Sequence, residues 1–338
     1  MTALVQGWLV ATLFFVGLSL GALVVLALHN LTGGRWGEAL RAPLVATASA
    51  LPVTAIAMLL PLAFHGAILQ WTSLPPDSLP QVARAKLPYF DPAFLILRAL
   101  VVLGVWLGVA WWIAGPRGFA RHRGRSIVAL IAIMVTMLIF STDWMVAADP
   151  RFYSTIYAVL ELSGEIVGAF ALAFVAAWWS GSFVNDAEPE HGVRLSADIA
   201  NLLLGFVLLW VYLSFMQWLI IWSGNLPEEI GWYLDRGQGG WLALLLAVVA
   251  LHAVVPIAAL IGGAVKNDPR AVAIVAAILV VAHLLDLVWR VAPSFHGGFA
   301  ELVAGIFSFL VVGAAWSGVA IWFHEGRPWP IVWRRVHA

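Results

Sequence analysis

The chain of 338 residues contains no cysteine, so it holds no disulfide and no thiolate-ligated iron–sulfur cluster. Charge is also scarce. Only 11% of residues are charged, against roughly a quarter in soluble domains, and the net charge is zero. The neutral balance gives no case for nucleic acid binding. The N-terminal MTALVQGWLV lacks the basic region of a signal peptide, and its apolar run continues to Leu28, longer than such a peptide needs. No polar connection is long enough for an extramembrane domain.

What is abundant is apolar: 62% of the residues, with 19 Trp among them. About 20 apolar residues span the hydrocarbon core of a bilayer. On that basis the sequence predicts an all-α polytopic membrane protein with nine spans, at 6–29, 43–69, 90–114, 126–148, 154–180, 197–223, 239–264, 270–291 and 298–323. Lys and Arg predict orientation. Odd-numbered connections and the C-terminus carry Arg35, Arg41, the Arg117–Arg125 cluster, Arg194, Lys266, Arg270, Arg327, Arg334 and Arg335; the other side carries Arg84, Lys86, Arg151, Arg236 and Arg290. The bias places the N-terminus outside and the C-terminus in the cytoplasm.

The stretch YLSFMQWLIIWSGNLPEEIGWYLDR (212–236) organises the second half. Tyr212, Ser214 and Gln217 give the sixth span a polar stripe. Trp218, Trp222 and Trp232 mark a membrane–water boundary. Asn225, followed by Pro227 and Glu228, reads as the start of a surface helix. A weaker copy occurs earlier. Span 2 leaves through Trp71 and Leu74-Pro75 before Asp77, and span 6 through Trp222 and Leu226-Pro227 before Glu228. Spans 4 and 8 end alike too, with Asp143 and Asp286 each seven residues before a Pro (Pro150, Pro293) and Phe two further on. These two correspondences predict two repeated four-helix bundles, residues 1–150 and 151–296, with a C-terminal helix and tail at 297–338. Trp and Pro at helix ends are common at any interface, which is the competing explanation.

Ionisable groups in lipid cost roughly 2.5–3.5 kcal/mol each, so each asks for a partner or a task. The first bundle offers His65, Arg98 and Asp143. The second offers Glu161, Glu165, His252, His283 and Asp286, with Arg290 near the surface. Helical spacing puts Glu161 with Glu165, Asp286 with Arg290, and His283 with Asp286 on shared faces. One reading is a proton-conducting chain of carboxylates and imidazoles. The other is a set of structural pairs: Arg98 neutralising Asp143, and Arg290 snorkelling to the interface beside Asp286. The Glu161–Glu165 pair is the hardest to explain structurally, since like charges one turn apart repel. The three His are scattered over separate spans, which argues against a bis-His haem. Gly17 and Gly21 form a small-residue face suited to close helix packing.

The segments HNLTGGRWG (29–37), RFYSTIYAV (151–159), YLSFMQWLIIWSGNLPEEIGWYL (212–234) and HLLDLVWRVAPSF (283–295) together resemble the F subunit of bacterial alternative complex III, one of the NrfD/polysulfide-reductase-like membrane subunits. That complex is a quinol:cytochrome c, or other periplasmic acceptor, oxidoreductase of the bacterial inner membrane. The resemblance implies two four-helix bundles with flanking helices, ten in all; this chain starts at what resembles the family's second helix. It also implies no cofactor in this subunit and a role in proton translocation. The implied partners are a homologous C-type membrane subunit that oxidises quinol, a periplasmic iron–sulfur subunit, cytochrome c subunits carrying haem c, lipids and a terminal oxidase. A purely structural anchor and an independent secondary transporter with midplane acids are the alternatives.

Overall fold

In the computed structural model, residues 1–115, 123–183, 194–295 and 299–325 are described. Arg117, Arg121, Arg327, Arg334 and Arg335, which weigh in the orientation argument, lie outside them. The described residues are almost entirely helical, without a strand, and include nine helices long and apolar enough to cross a membrane. This is an all-α polytopic membrane protein. The spans are Thr2–Thr32, Arg35–Ala63, Pro92–Ile113, Arg123–Ala148, Tyr157–Trp179, Leu195–Gly224, Gly239–Ile261, Pro269–Phe295 and Ala300–His324, called spans 1 to 9. The side holding the N-terminus is called the Met1 side.

Span 2 begins eight residues before its predicted start (35 against 43) and stops earlier, at Ala63. Gly33 (φ 74°) and Gly34 (φ 105°) reverse the chain at once, a conformation that costs glycine nothing, so the helix restarts at Arg35. Gly37 then lies against the buried ring of His29; a Cβ there would sit 1.9 Å from His29 Cδ2. The glycines of HNLTGGRWG thus allow one tight helical hairpin. Downstream, span 2 is segmented at Ala50 and Met58, beside Pro52 and Pro61.

Spans 1 and 5 form the core, with 94% and 83% of their apolar windows buried, against 22% for spans 7 and 9. They lie side by side. Spans 2, 3 and 4 gather round span 1, and spans 6 and 8 pack on span 5, with span 7 against both. Span 9 follows span 8 in sequence but packs along spans 1 and 2. It is fixed there by a Gly7–Gly305 backbone contact, by Phe15 against Phe309 and Trp316, and by the Trp316 indole donating to Ser19 Oγ (2.9 Å).

The two corresponding exits fold differently. Trp71 is buried and donates to Ala147 O (2.8 Å), tying the exit of span 2 to the end of span 4. Trp222 is exposed and stacks on Trp218. Trp232 is buried within the protein, stacked on Phe152 at 4.7 Å. Asn225 does not start the surface helix. It closes span 6 in the left-handed region (φ 50°, ψ 36°), which Asn tolerates, and Pro227 opens the helix Pro227–Arg236. The ends of spans 4 and 8 do match: each passes into a short 3-10 turn, Val146–Ala148 and Ala292–Phe295.

Candidate functional site: a buried acid and imidazole array

The candidate residues separate into two places. In the first, Arg98 of span 3 and Asp143 of span 4 form a closed unit. Arg98 Nε donates to Asp143 Oδ2 (2.8 Å), Nη2 to Oδ1 (2.9 Å) and Nη1 to Tyr89 O (3.0 Å). The guanidinium lies 3.8 Å from the Tyr89 ring centroid. A bidentate pair of this geometry uses most of what both groups can offer. Burial first, then the neighbouring Asp143 charge, push the Tyr89 phenol up to about 12, so it is neutral at physiological pH.

The second place lies between spans 5, 6, 7 and 8. Arg290 does not reach for the interface; it is 3% exposed. A snorkelling arginine needs open space above it, and here that space is filled. Arg290 Nη2 donates to Asp286 Oδ2 (2.6 Å) on its own helix, and Nη1 pairs with Glu161 Oε2 on span 5. One cation thus joins two carboxylates. Glu165, one turn further along span 5, is a third buried acid, and its Oε2 has no hydrogen-bond partner. The room for Glu165 comes from span 1: a Cβ on Gly17 would lie 3.0 Å from Glu165 Cγ, and one on Gly21 would lie 2.2 Å from Glu165 O. The expected small-residue packing face is therefore the wall of an acid.

His283 and His252, expected to be scattered, are ring neighbours, with centroids 6.3 Å apart and edge-to-face. His283 packs on the Gly164 and Gly168 face of span 5; a Cβ on Gly168 would lie 2.7 Å from its Cδ2. His252 is stacked on Trp210 of span 6 at 3.9 Å. It sits in a π-helical turn, Val249–Val254, a local widening often found at functional sites. Both ring nitrogens of His252 and Nδ1 of His283 are buried without a hydrogen-bond partner. Counted along their helices from the Met1 end, Glu161, Asp286 and Arg290 come first, then Glu165 and His283, then His252 near the middle of its span.

A lid closes the Met1 end. Arg236, the last residue of the surface helix, is 1% exposed. It donates through Nε and Nη2 to Arg290 O (3.2 and 2.8 Å) and through Nη2 to Ser294 Oγ (2.7 Å), and it lies 3.7 Å from the Trp232 ring. It caps the carbonyl end of span 8, where a cation also meets the negative end of the helix dipole. Burial pulls its guanidinium down to about 10, which leaves it charged at neutral pH. Phe152 and Tyr157 meet Trp232 from the other side.

Three predicted residues stand apart. His65 lies in a 3-10 turn after span 2, half-buried, with Nδ1 3.1 Å from Leu62 O; it is past the helix rather than inside it. Tyr212 is exposed on span 6, while Gln217 is buried and accepts from Ser154 Oγ (2.6 Å). The expected stripe is therefore not one surface. Sequence reasoning missed Arg236, counted only for its charge, together with Tyr157, Trp210 and the Gly164/Gly168 pair. The four-residue spacing of those glycines beside two glutamates was the available signal.

Among the described residues no three His, Cys, Asp or Glu side chains are grouped to hold a metal ion. No family model matches the chain, and no curated protein matches it in sequence. What fold and site define is a class: a polytopic membrane protein with one saturated ion pair and one buried array in which acids outnumber the cation.

Proposed function

We propose that this chain is an integral membrane subunit of a respiratory quinol:acceptor oxidoreductase of the bacterial inner membrane, and that its task is to carry protons. In this reading the N-terminus is periplasmic and the C-terminus cytoplasmic. The redox groups, haem c and iron–sulfur clusters, belong to partner subunits, and a homologous C-type membrane subunit oxidises the quinol. The reading rests on the resemblance of the four segments named above and on one observation. Two buried carboxylates share one arginine, a third buried acid stands one turn away from them, and beside it are two imidazoles with unpartnered nitrogens. Paired charges would be a sufficient account of an anchor. A surplus of acids, continued by imidazoles, supplies groups that gain and lose a proton.

Chemically, Glu165 is the hinge of the proposal. Arg290 pairs with Glu161 and Asp286, and Glu165 is the acid of the three whose Oε2 is left with neither an ion pair nor a hydrogen-bond partner. It stands between the paired acids on the Met1 side and the imidazoles. Arg98 and Asp143 serve structure instead, because they satisfy each other.

The test is purification of the chain from its native membrane, with identification of what accompanies it and measurement of protons released per electron. Multihaem cytochrome and iron–sulfur subunits should co-purify. Glu165→Gln should leave that assembly intact and lower the proton/electron ratio. A chain that purifies alone and exchanges a solute for protons would overturn the reading in favour of a secondary transporter. An unchanged ratio in Glu165→Gln would leave only an anchor.

A further inference from the structure

One aromatic side chain connects the helices of the array. Trp210 of span 6 is buried, and its indole face stacks on His252 of span 7, with centroids 3.9 Å apart and planes 26° from parallel. Its edge meets span 5. A Cβ on Gly164 would lie 3.4 Å from Trp210 Cδ1 and 3.3 Å from His283 Nδ1, so indole and imidazole share one glycine notch. The indole N–H also acts on Asp286 of span 8, although it closes no hydrogen bond. Spans 5 and 8 therefore hold Trp210 in place, along with its own helix.

His252 has no comparable fixing of its own. It is fully buried, and neither ring nitrogen has a hydrogen-bond partner. Among the described residues its ring neighbours are Trp210 and His283. Its backbone is displaced as well. Pro256 has no N–H to give the His252 carbonyl, and just before it the helix widens, with Val255 N–H reaching back to Ala250 O. An imidazole without hydrogen bonds can turn about its Cβ–Cγ bond, where the torsional preference is broad. What fixes the plane of this ring is the indole lying flat against it. With that plane fixed, the ring stands at 64° to His283, centroids 6.3 Å apart.

We propose that Trp210 is the positioning residue of the array: it holds the His252 ring towards His283, and passage of a proton between the two imidazoles depends on that stack. This role rests on the proton-carrying reading above. In the step, a proton leaves a nitrogen of one imidazole and is bound by a nitrogen of the other, and Trp210 keeps its own N–H throughout. Whichever ring holds the proton, its N–H must be aimed at the other ring, and the stack sets that direction.

The test uses the protein as extracted from its membrane, with the subunits that accompany it. Two quantities are read: protons released per electron, and the plane of the His252 ring by cryo-electron microscopy. Trp210→Met fills much of the space but has no flat face. It should leave assembly and electron transfer intact, lower the ratio to the level of Glu165→Gln, and leave the His252 ring turned or spread over several orientations. Trp210→Phe keeps a stacking face and should keep both the ring plane and the ratio, a rescue that space-filling alone does not give. It also carries the test should Trp210→Met assemble poorly. A His252 ring unmoved in Trp210→Met, a ratio lost in Trp210→Phe, or a full ratio in Trp210→Met where Glu165→Gln lowers it would each overturn the role given to Trp210. A full ratio in Glu165→Gln as well would overturn the proton-carrying reading, and this role with it.

Discussion

Arg290 links Asp286, one turn back on its own helix at 2.6 Å, to Glu161 on span 5. Replacing it by Gln should leave two buried carboxylates uncompensated. Breaking a buried pair costs about 3–5 kcal/mol, so Arg290→Gln should accumulate poorly in the membrane. Glu161→Gln in the same chain should restore part of the loss, because it removes one of the stranded charges. A thermal midpoint in detergent equal to that of the unmodified chain would show that the arginine carries no such burden.

Asp143→Asn should behave unlike Glu165→Gln. It strands Arg98, which is 8% exposed and among the described residues otherwise keeps only Tyr89 O as acceptor. The expected cost is again about 3–5 kcal/mol, with loss of assembly. Replacing both partners by apolar residues, Arg98→Met with Asp143→Leu, should recover most of the stability. A single Asn variant that assembles normally but loses proton release would move Asp143 from structure into the relay.

Gly21→Ala should destabilise more than alanine at either of the other glycines of span 1, Gly7 and Gly17. Its Cβ would lie 2.2 Å from Glu165 O, so spans 1 and 5 would have to separate. Overpacking of this kind costs about 1–3 kcal/mol, and here it also displaces an acid. Gly205→Ala, at a glycine whose Cβ meets nothing within 4 Å, is the matched control and should be neutral or slightly stabilising. Equal midpoints for the two variants would contradict the close approach of spans 1 and 5.

Arg236→Met should loosen the Met1 end of span 8, since it removes the donors to Arg290 O and Ser294 Oγ while keeping much of the contact with Trp232. Faster amide exchange across 288–295, with the rest of the chain unchanged, is the expected result. Uniform exchange throughout the helix would mean that the lid does not depend on this side chain.

A reporter fused after Arg123 should score as cytoplasmic, because the basic connection before span 4 dominates the inside count. A periplasmic score would reverse the orientation of every group in the array, and with it the direction of proton release.

The number of spans was legible without coordinates. Long apolar runs in a charge-poor chain have few other uses, and each run is a local property. The short-range pairings were legible for the same reason: Glu161 with Glu165 and Asp286 with Arg290 follow from helical spacing alone. Arg290 with Glu161, His252 with His283, and Gly21 with Glu165 were not, because each joins residues on different spans and depends on how those helices pack. Local pattern also misassigned Asn225, which suits either the start or the close of a helix; the left-handed backbone at φ 50° decided it. Sequence established that charges are buried. Only the tertiary structure decided which are neutralised, since a buried ion is costly or comfortable according to what stands within about 4 Å of it, and in this fold that neighbour usually comes from another helix.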